Sequence, residues 1–290
     1  MTKQEGPQLV SNDESDRIRQ LFDLSGRVAI ITGGAGLLGY QHGDILAAAG
    51  AHVVLLDLEV SDPAKRAAQL TASHRVQCIG LTTDITNERS IVDACNRIVA
   101  KFGRIDILIN NASRNPKVED SAHQTWSRLE DLPTSVWDAD ICVGLTGAFL
   151  CSRVFGSEMA KGGKGVIVNV ASDLALISPD QRLYRVDGLP EDQQPVKPVT
   201  YSVVKSGLLG LTRYLATYWS GSNIRVNAIS PGGVSNGQPE VFLNRLKQLI
   251  PMERMANRNE YQGAILFLCS DASSYMTGAN LVIDGGRTCW

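Results

Sequence analysis

Short apolar runs rich in β-branched residues alternate along the chain with longer segments whose apolar positions are spaced as on one face of a helix. The runs predict strands at Val28 to Ile31, His52 to Leu56, Val76 to Leu81, Ile105 to Ile109, Val166 to Val170, Arg225 to Ile229 and Asn280 to Ile283. The segments between them predict helices, including 63–73, 87–102, 135–159 and 200–218. This alternation predicts a doubly wound, seven-stranded parallel sheet in a three-layer α/β/α arrangement, with ligands at the carboxyl ends of the strands.

The first predicted strand ends in a glycine-rich turn, VAIITGGAGLLG from Val28 to Gly39. Gly33, Gly36 and Gly39 permit a sharp turn, close approach of a pyrophosphate to the backbone, and tight helix–strand packing. The phosphates would lie at the positive end of the following helix. A strand-to-helix loop without a ligand is the alternative, but a second feature favours a dinucleotide-binding Rossmann fold.

That second feature is Asp57, which ends the next strand at about the ~20-residue distance where a carboxylate binds the ribose hydroxyls of NAD. No arginine follows in Leu58-Glu59-Val60 to accept a 2′-phosphate. We therefore predict NAD rather than NADP.

The composition, with 290 residues of which 43% are hydrophobic, suits one large core. We predict a polar extension over 1–24 and a single domain over 25–290. The net charge of -2 does not indicate a basic surface for binding nucleic acid or an anionic membrane. We also find no apolar run that approaches the ~18 residues of a membrane span. From the polar, acidic start we expect no secretory signal.

The six cysteines are scattered through apolar runs without a C-x-x-C pair, which indicates reduced core residues in a cytoplasmic protein. The four histidines show no metal-ligand spacing, so we predict no metal.

Polar residues follow several strands, where chemistry is expected. Asp84 follows the third strand and either binds the adenine amino group or caps the next helix. Asn111 and Ala112 follow the fourth strand, beneath the adenosine ribose, and Ser172 ends the fifth.

Tyr201 and Lys205 lie four residues apart on one predicted helix, so their side chains share a face. An ammonium beside a tyrosine stabilises the phenolate and lowers the phenol pKa toward the range where proton transfer is efficient. The lysine can also hold the nicotinamide ribose, and Ser172 can orient a substrate oxygen. An accidental surface pair is the alternative, which the neighbouring dinucleotide features disfavour.

From about Leu24 to Gly286 the chain resembles the short-chain dehydrogenase/reductase family. The resemblance depends on the following motifs: Thr32-Gly33 with Gly36 and Gly39, Asp84, Asn110-Asn111-Ala112, Ser172, Tyr201-Ser-Val-Val-Lys205, Arg225 to Gly232 and Ile283-Asp-Gly-Gly286.

The resemblance implies NAD(P)-dependent interconversion of alcohols and ketones, with Tyr201 as acid/base, Lys205 beside it and Ser172 on the substrate oxygen. The predicted cofactor-binding residues are Gly33, Gly36, Leu37, Leu38, Gly39, Asp57, Asp84, Ile85, Asn111, Ala112, Tyr201, Lys205, Pro231, Gly232 and Val234. The resemblance also implies that the segment after Gly232 closes over the nicotinamide. It implies too that the helices at 135–159 and 200–218 build a homodimer or homotetramer.

Three features depart from the family pattern. Leu37 takes the middle glycine position of the turn, a spacing similar to that of sugar-nucleotide epimerases and dehydratases. Gly144 stands where the family has a catalytic asparagine that extends the proton relay from the lysine. The interval from Asp173 to Thr200 is more than twice the usual length.

This insertion, about 173–199, begins at the predicted serine and ends at the predicted tyrosine, so it should pass over the substrate opening. Candidate substrate contacts are Asp173, Arg182, Tyr184 and Arg185, with Arg114, Asn115 and Lys117 facing them from the fourth-strand loop. A solvated loop is the alternative in both places. Together with the glycine turn, the Val143 to Gly147 stretch and the Ser230 to Gln238 stretch, the insertion resembles short-chain dehydrogenases of bacterial flagellin and surface-glycan modification, which act on legionaminic-acid-type precursors.

The leading hypothesis is an NAD-dependent oxidoreductase that interconverts a secondary alcohol and a ketone on a polar, sugar-like substrate. One alternative is a redox-neutral dehydratase or epimerase with tightly bound NAD, which the glycine spacing favours. A second is a non-catalytic NAD-binding protein, suggested only by Gly144.

Overall fold

The computed structural model describes residues 12–115 and 125–290. The helices are α1 Asn12–Phe22, α2 Leu37–Ala48, α3 Pro63–Ser73, α4 Glu88–Phe102, α5 Thr134–Ile141, α6 Gly147–Gly162, α7 Val199–Tyr218, α8 Glu240–Lys247 and α9 Gln262–Cys269. The strands are β1 Val28–Thr32, β2 His52–Asp57, β3 Cys78–Thr82, β4 Ile107–Asn110, β5 Gly165–Val170, β6 Ile224–Pro231 and β7 Asn280–Ile283.

The seven strands form one parallel sheet in the order β3-β2-β1-β4-β5-β6-β7. The strand order reverses between β1 and β4, because the chain first adds strands outward to β3 and then returns to the other side of β1. A crevice opens at this point outside the carboxyl ends of the strands, where ligands bind in open α/β sheets. The prediction of a seven-stranded parallel sheet with helices on both faces is confirmed.

Two hydrophobic cores cover the faces of the sheet. Successive residues of a strand point to opposite faces, so Val28 and Ile30 of β1 enter one core with α4 and α6, while Ala29 and Ile31 enter the other with α2 and α9. Because both faces are covered, each strand reads as a nearly continuous apolar run.

α5 and α6 form one helical run, Thr134–Gly162, joined by a π-helical turn over Cys142–Thr146. By length and composition this run, alone in the part of the chain that the structure describes, is apolar enough to cross a membrane, which the sequence analysis did not expect of any segment. Its contacts account for the apolar character, since α6 packs against β4, β5 and α4, and α5 packs against α7.

The predicted elements match closely, with α3 and β7 at the predicted bounds and most others shifted by one or two residues. α1 lies within the predicted extension, of which residues 1–11 fall outside the described part. The domain boundary at residue 24 stays a prediction.

Candidate active site

A groove of about 460 Å³ runs over the crevice at the ends of β1, β2 and β4. Among the predicted cofactor residues, those lining it are Gly33, Gly36, Leu37, Asp57, Asp84, Ile85, Asn111 and Ala112. The Asp57 carboxylate is held at the end of β2 by two backbone donors, Ala35 N at 3.0 Å and Leu58 N at 2.8 Å. It is half-buried and negatively charged at the position predicted for the ribose hydroxyls.

The glycine turn leaves no room for larger residues. Gly33 has a φ of 61°, in the left-handed region, and a Cβ on Gly39 would stand 2.2 Å from the carbonyl oxygen of Gly33. The Asn111 side chain donates to the carbonyl oxygens of Thr32 at 3.0 Å and Gly33 at 3.2 Å. Asn111 therefore fixes the turn against β4, in addition to lining the groove.

The structure corrects one prediction for each of two residues on the groove, while adenine binding by Asp84 stays a prediction. The helix-capping alternative for Asp84 is wrong, because Asn87 caps α4 and Asp84 instead accepts from the backbone and hydroxyl of Thr86 at 2.9 and 2.7 Å. Arg114 lines this groove rather than the neighbouring cavity, and its Nε lies 3.7 Å from Asp140. The structure thus places Arg114 on the nucleotide side.

A second cavity of about 430 Å³ adjoins the groove, and the two share Leu37, Asn111 and Ser113. Ser172, Tyr201 and Lys205 come together in its wall, as predicted. Ser172 lies close enough to Tyr201 to lower the pKa of its phenol, while the Ser172 hydroxyl itself donates to Asp173 at 2.7 Å. The buried Lys205 donates from Nζ to the carbonyl oxygen of Val170 at 2.8 Å, with Nζ 5.7 Å from the Tyr201 ring centroid.

The electrostatics of the cavity work against the phenolate. Burial raises the pKa of Tyr201 above its ordinary 10, the hydrogen bond with Ser172 lowers it, and the charge of Asp173 raises it. Burial and the nearby charge of Lys197 lower the pKa of Lys205 from 10.5 to about 8. These effects make the Tyr201 phenol a weaker acid than the sequence analysis expects.

Asp173 is not open to a substrate, because its carboxylate is already bonded. Oδ1 accepts from Ser172 Oγ at 2.7 Å and from the backbone of Leu174 at 2.9 Å, while Oδ2 accepts from Arg287 Nη1 at 2.9 Å. Asp173 and Arg287 are both buried, at 3% and 8% exposed. Asp173 therefore fixes the Ser172 hydroxyl instead of binding substrate.

The sequence analysis did not predict Arg287 as a site residue, although the motif directly before it could have indicated one. It follows the Asp284-Gly285-Gly286 motif, whose glycines have φ of 68° and 90°. The Asp284 carboxylate closes this turn by accepting from the backbone of Gly286 at 2.9 Å and Thr288 at 2.8 Å. The motif thus forms a tight turn that directs the next side chain into the cavity.

Gly144 lies in the π-helical turn, facing α7. A Cβ there would stand 2.5 Å from Cγ1 of Val204, the neighbour of Lys205. The space that a side chain needs at Gly144 is filled by Val204, so this chain cannot place an asparagine relay without repacking.

The insertion contributes fewer residues to the cavity than predicted. Arg182 and Arg185 are exposed and pair with Asp180 at 2.6 Å and Glu191 at 2.7 Å, away from the cavity wall. Tyr184 does line the cavity, with its ring against Phe242 of α8 at 5.6 Å between centroids.

Lys197, also missed, lies over the Tyr201 ring with Nζ 4.1 Å from its centroid, and donates to Asn115 at 2.5 Å. Its signal in the sequence was a cation four residues before the tyrosine. Lys117 lies outside the described residues.

The end of β6 and the segment after it line the cavity through Pro231, Gly232 and Val234, and Leu38 joins from α2. Tyr261, directly before α9, donates to the carbonyl oxygen of Gly232 at 2.9 Å. This bond fixes the segment where the resemblance predicted closure over a nicotinamide.

The groove and cavity together fit a dinucleotide. The residues that would hold it are the Gly33–Gly39 turn at the uncapped start of α2, Asp57 at the ribose end and Lys205 at the cavity end. In the described ranges no three His, Cys, Asp or Glu side chains cluster as metal ligands. The absence of a metal stays a prediction.

The sequence profile described as short chain dehydrogenase matches residues 27–184, and one described as Enoyl-(Acyl carrier protein) reductase matches residues 192–288. The D-threitol dehydrogenase of Mycolicibacterium smegmatis is 34% identical over 275 residues, covering 92% of this chain and 95% of the relative. An NADP-dependent mannitol dehydrogenase of Hypocrea jecorina is 32% identical over 284 residues, covering 94% and 97%.

The crystal structure of an NAD⁺-bound xylitol dehydrogenase superposes with a TM-score of 0.79 at 28% identity, over 90% of this chain and 99% of the other. With the profile match, the identity to full-length relatives and the Ser172, Tyr201 and Lys205 geometry, this chain belongs to the short-chain dehydrogenase/reductase family.

Proposed function

We propose that the protein is an NAD-dependent oxidoreductase that interconverts a secondary alcohol and a ketone on a polyol or sugar-like substrate. The observation that carries the proposal is the meeting of Ser172, Tyr201 and Lys205 in a cavity continuous with the nucleotide groove. A cofactor bound in the groove would present its reacting end to a substrate in the cavity.

In alcohol oxidation, Tyr201 takes the hydroxyl proton of the substrate, and in ketone reduction it returns that proton. Lys205 favours the phenolate by its charge. Ser172, fixed by Asp173, positions the substrate oxygen next to Tyr201. The bound nicotinamide would accept or donate the hydride.

The relatives support the substrate class, since their names specify threitol, mannitol and xylitol. The cavity suits such molecules because it combines hydroxyl and charged groups near Tyr201 with an apolar wall of Leu183, Phe242 and Leu246.

The choice of NAD over NADP is supported by Asp57, whose negative charge opposes a 2′-phosphate. Both cofactors occur among the relatives, because the mannitol dehydrogenase is NADP-dependent and the structure of the xylitol dehydrogenase contains NAD⁺. Direct titrations in which NADPH bound more tightly than NADH would contradict the choice.

The first test is NADH formation from NAD with threitol, glycerol, xylitol, mannitol, sugar phosphates and nucleotide sugars. We expect turnover of at least one polyol and at least a ~100-fold loss in Tyr201→Phe, since a positioned acid/base contributes roughly 10²–10⁴-fold. Binding of NADH should persist in that variant. Tyr275→Phe, at a fully exposed tyrosine, is the matched control and should stay active.

The same panel distinguishes the other functions. Consumption of a nucleotide sugar without net formation of NADH would favour the redox-neutral dehydratase or epimerase. A narrower role in surface-glycan biosynthesis is a second proposal, supported by the resemblance of the glycine turn, the Val143 to Gly147 stretch and the insertion. Oxidation of a nonulosonate precursor in preference to every polyol would favour it.

We further propose a cytoplasmic homodimer or homotetramer. Exposed aromatic side chains on α6 and α7, Phe149, Tyr214 and Tyr218, support an interface on these helices, and the six unpaired cysteines suit a reducing compartment. Light scattering on the purified protein gives the subunit count, and a monomer would contradict the assembly.

A further inference from the structure

Tyr201 contacts two lysines rather than one. Lys205 approaches from its own helix, with Nζ 5.7 Å from the ring centroid, whereas Lys197 approaches from the insertion and lies closer, at 4.1 Å. A cation over the face of an aromatic ring is attracted by the negative face of its π system. That attraction grows when the ring becomes a phenolate, because the negative charge delocalises into the ring.

The position of Lys197 is fixed by several neighbours. The side chain of Gln181 accepts from its backbone N–H at 2.8 Å and donates to its carbonyl oxygen at 3.4 Å. Pro198 follows directly at the start of α7, and the side-chain Nζ donates to Asn115. Both the backbone and the ammonium of Lys197 are therefore held beside Tyr201.

The surroundings of Tyr201 make a second cation useful. The charged groups that line its cavity in the described part of the chain are Asp173 after β5, Lys197 from the insertion, Lys205 from α7 and Arg287 from the C-terminal turn. Burial and Asp173 oppose the phenolate. Arg287 is paired with Asp173. Burial, with a further contribution from the charge of Lys197 itself, lowers the pKa of Lys205 to about 8, so the positive charge beside Tyr201 at high pH depends increasingly on Lys197.

We propose that Lys197 is a positioning residue for proton transfer, whose ammonium over the Tyr201 ring stabilises the phenolate that receives the proton of the alcohol. This role rests on the proposed alcohol dehydrogenase function. It gives the insertion a part in the chemistry, in addition to covering the cavity.

The test is the pH dependence of kcat/KM for oxidation of the polyol that the panel identifies. Activity should rise with pH as Tyr201 loses its proton. In Lys197→Met we expect this rise to move to higher pH by about one unit, since an opposite charge within ~4–6 Å commonly shifts a pKa by ~1–3 units. At pH 7 this means a roughly tenfold loss of kcat/KM that disappears at high pH. Lys197→Arg, which keeps the positive charge, should restore most of the lost kcat/KM.

Lys161→Met is the matched control, because Lys161 is an exposed lysine paired with Glu158 outside the cavity. Its profile should match the unmodified enzyme. An equal loss at every pH in Lys197→Met would indicate a structural role, and a raised KM with an unmoved profile would indicate substrate binding. Either outcome overturns the proposal.

A measurement without substrate separates this proposal from the proposed function. Ultraviolet titration of phenolate absorbance, taken as the difference between proteins with and without Tyr201→Phe, isolates Tyr201 from the other six of the seven tyrosines. Lys197→Met should move this titration to higher pH whether or not a substrate is known. If Tyr201 titrates at the same pH with and without Lys197, the proposal fails, whereas absence of turnover in the whole panel would count against the dehydrogenase.

Discussion

Single residues at the cavity carry charges that folding alone would not favour. Lys205 is buried with one carbonyl acceptor, so its ammonium has lost most of its hydration. The fall of its pKa from 10.5 to about 8 corresponds to on the order of 3 kcal/mol, at about 1.4 kcal/mol per unit. This free-energy cost of burying the Lys205 ammonium arises at the position where its charge acts on Tyr201.

Lys205→Met should therefore stabilise the protein while inactivating it. Below pH 8 the lysine is charged in both folded and unfolded states, and the folded state bears the desolvation cost. Between about pH 8 and 10.5 the folded state binds fewer protons than the unfolded one, so the stability of the unmodified protein rises and the advantage of the variant shrinks. Melting temperatures at pH 7 and pH 9.5 measure this, and an unchanged difference between the two would contradict it.

Residues whose role depends on a distant partner were beyond sequence reasoning. Asp173 was predicted as a substrate contact because it begins the insertion, yet its role is set by Arg287, 114 positions away. Arg182 and Arg185 had suitable chemistry but formed local ion pairs instead. Tyr201 and Lys205, by contrast, were predictable because their relation depends only on helical spacing.

At the scale of elements, the insertion and α8 form one cover over the cavity. Leu183 and Tyr184 pack against Leu246 and Phe242 in a small apolar cluster separate from the two main cores. Arg245 of α8 donates to the carbonyl oxygen of Arg185 at 2.6 Å. The sequence predicted that the insertion covers the substrate but not what holds it, since nothing local links residues 60 positions apart.

Arg245→Gln should loosen this cover without weakening the fold. We expect KM for the polyol to rise about threefold to tenfold, because the cavity wall loses a tie, while the melting temperature changes by no more than about 2 °C, since exposed ties contribute roughly 0–1 kcal/mol. Arg19→Gln, at the exposed pair with Asp16 on α1, is the control and should leave KM unchanged. A parallel loss of stability and affinity would show that the cover is part of the folding core.

The π-helical turn was also outside the prediction, which placed one regular helix over 135–159. The spacing of apolar residues in a sequence does not distinguish the 3.6 residues per turn of an α-helix from the slightly wider turn of a π-helix. The turn coincides with Gly144, where Val204 takes the space of a side chain. Gly144 and the π-helical turn therefore belong to the same contact, the one between this helical run and Val204 of α7.

At the scale of the whole molecule, the sheet was predictable because each strand is a short apolar run with a fixed order of crossovers. The dinucleotide groove crosses from β2 to the catalytic cavity, so cofactor binding links Asp57 on one side of the sheet to Lys205 on the other. A ligand bound across the molecule should stabilise all of it against unfolding.

NADH should raise the melting temperature more than NADPH at equal concentration, since a tenfold difference in affinity is about 1.4 kcal/mol. Asp57→Ser should shrink or reverse this difference, because the charge that opposes a 2′-phosphate is gone. Asp93→Ser, at an exposed acid on α4, is the control. Equal shifts by both cofactors in the unmodified protein would refute the role of Asp57 in the choice.

The pairing of Asp173 with Arg287 also orders events during synthesis. A ribosome that has just made Asp173 must add 114 more residues before Arg287 exists, and that stretch contains β6 and β7. Until then the Asp173 carboxylate lacks the guanidinium with which it pairs in the folded protein. The pair that fixes the Ser172 hydroxyl can therefore form only after every strand of the sheet has been synthesised.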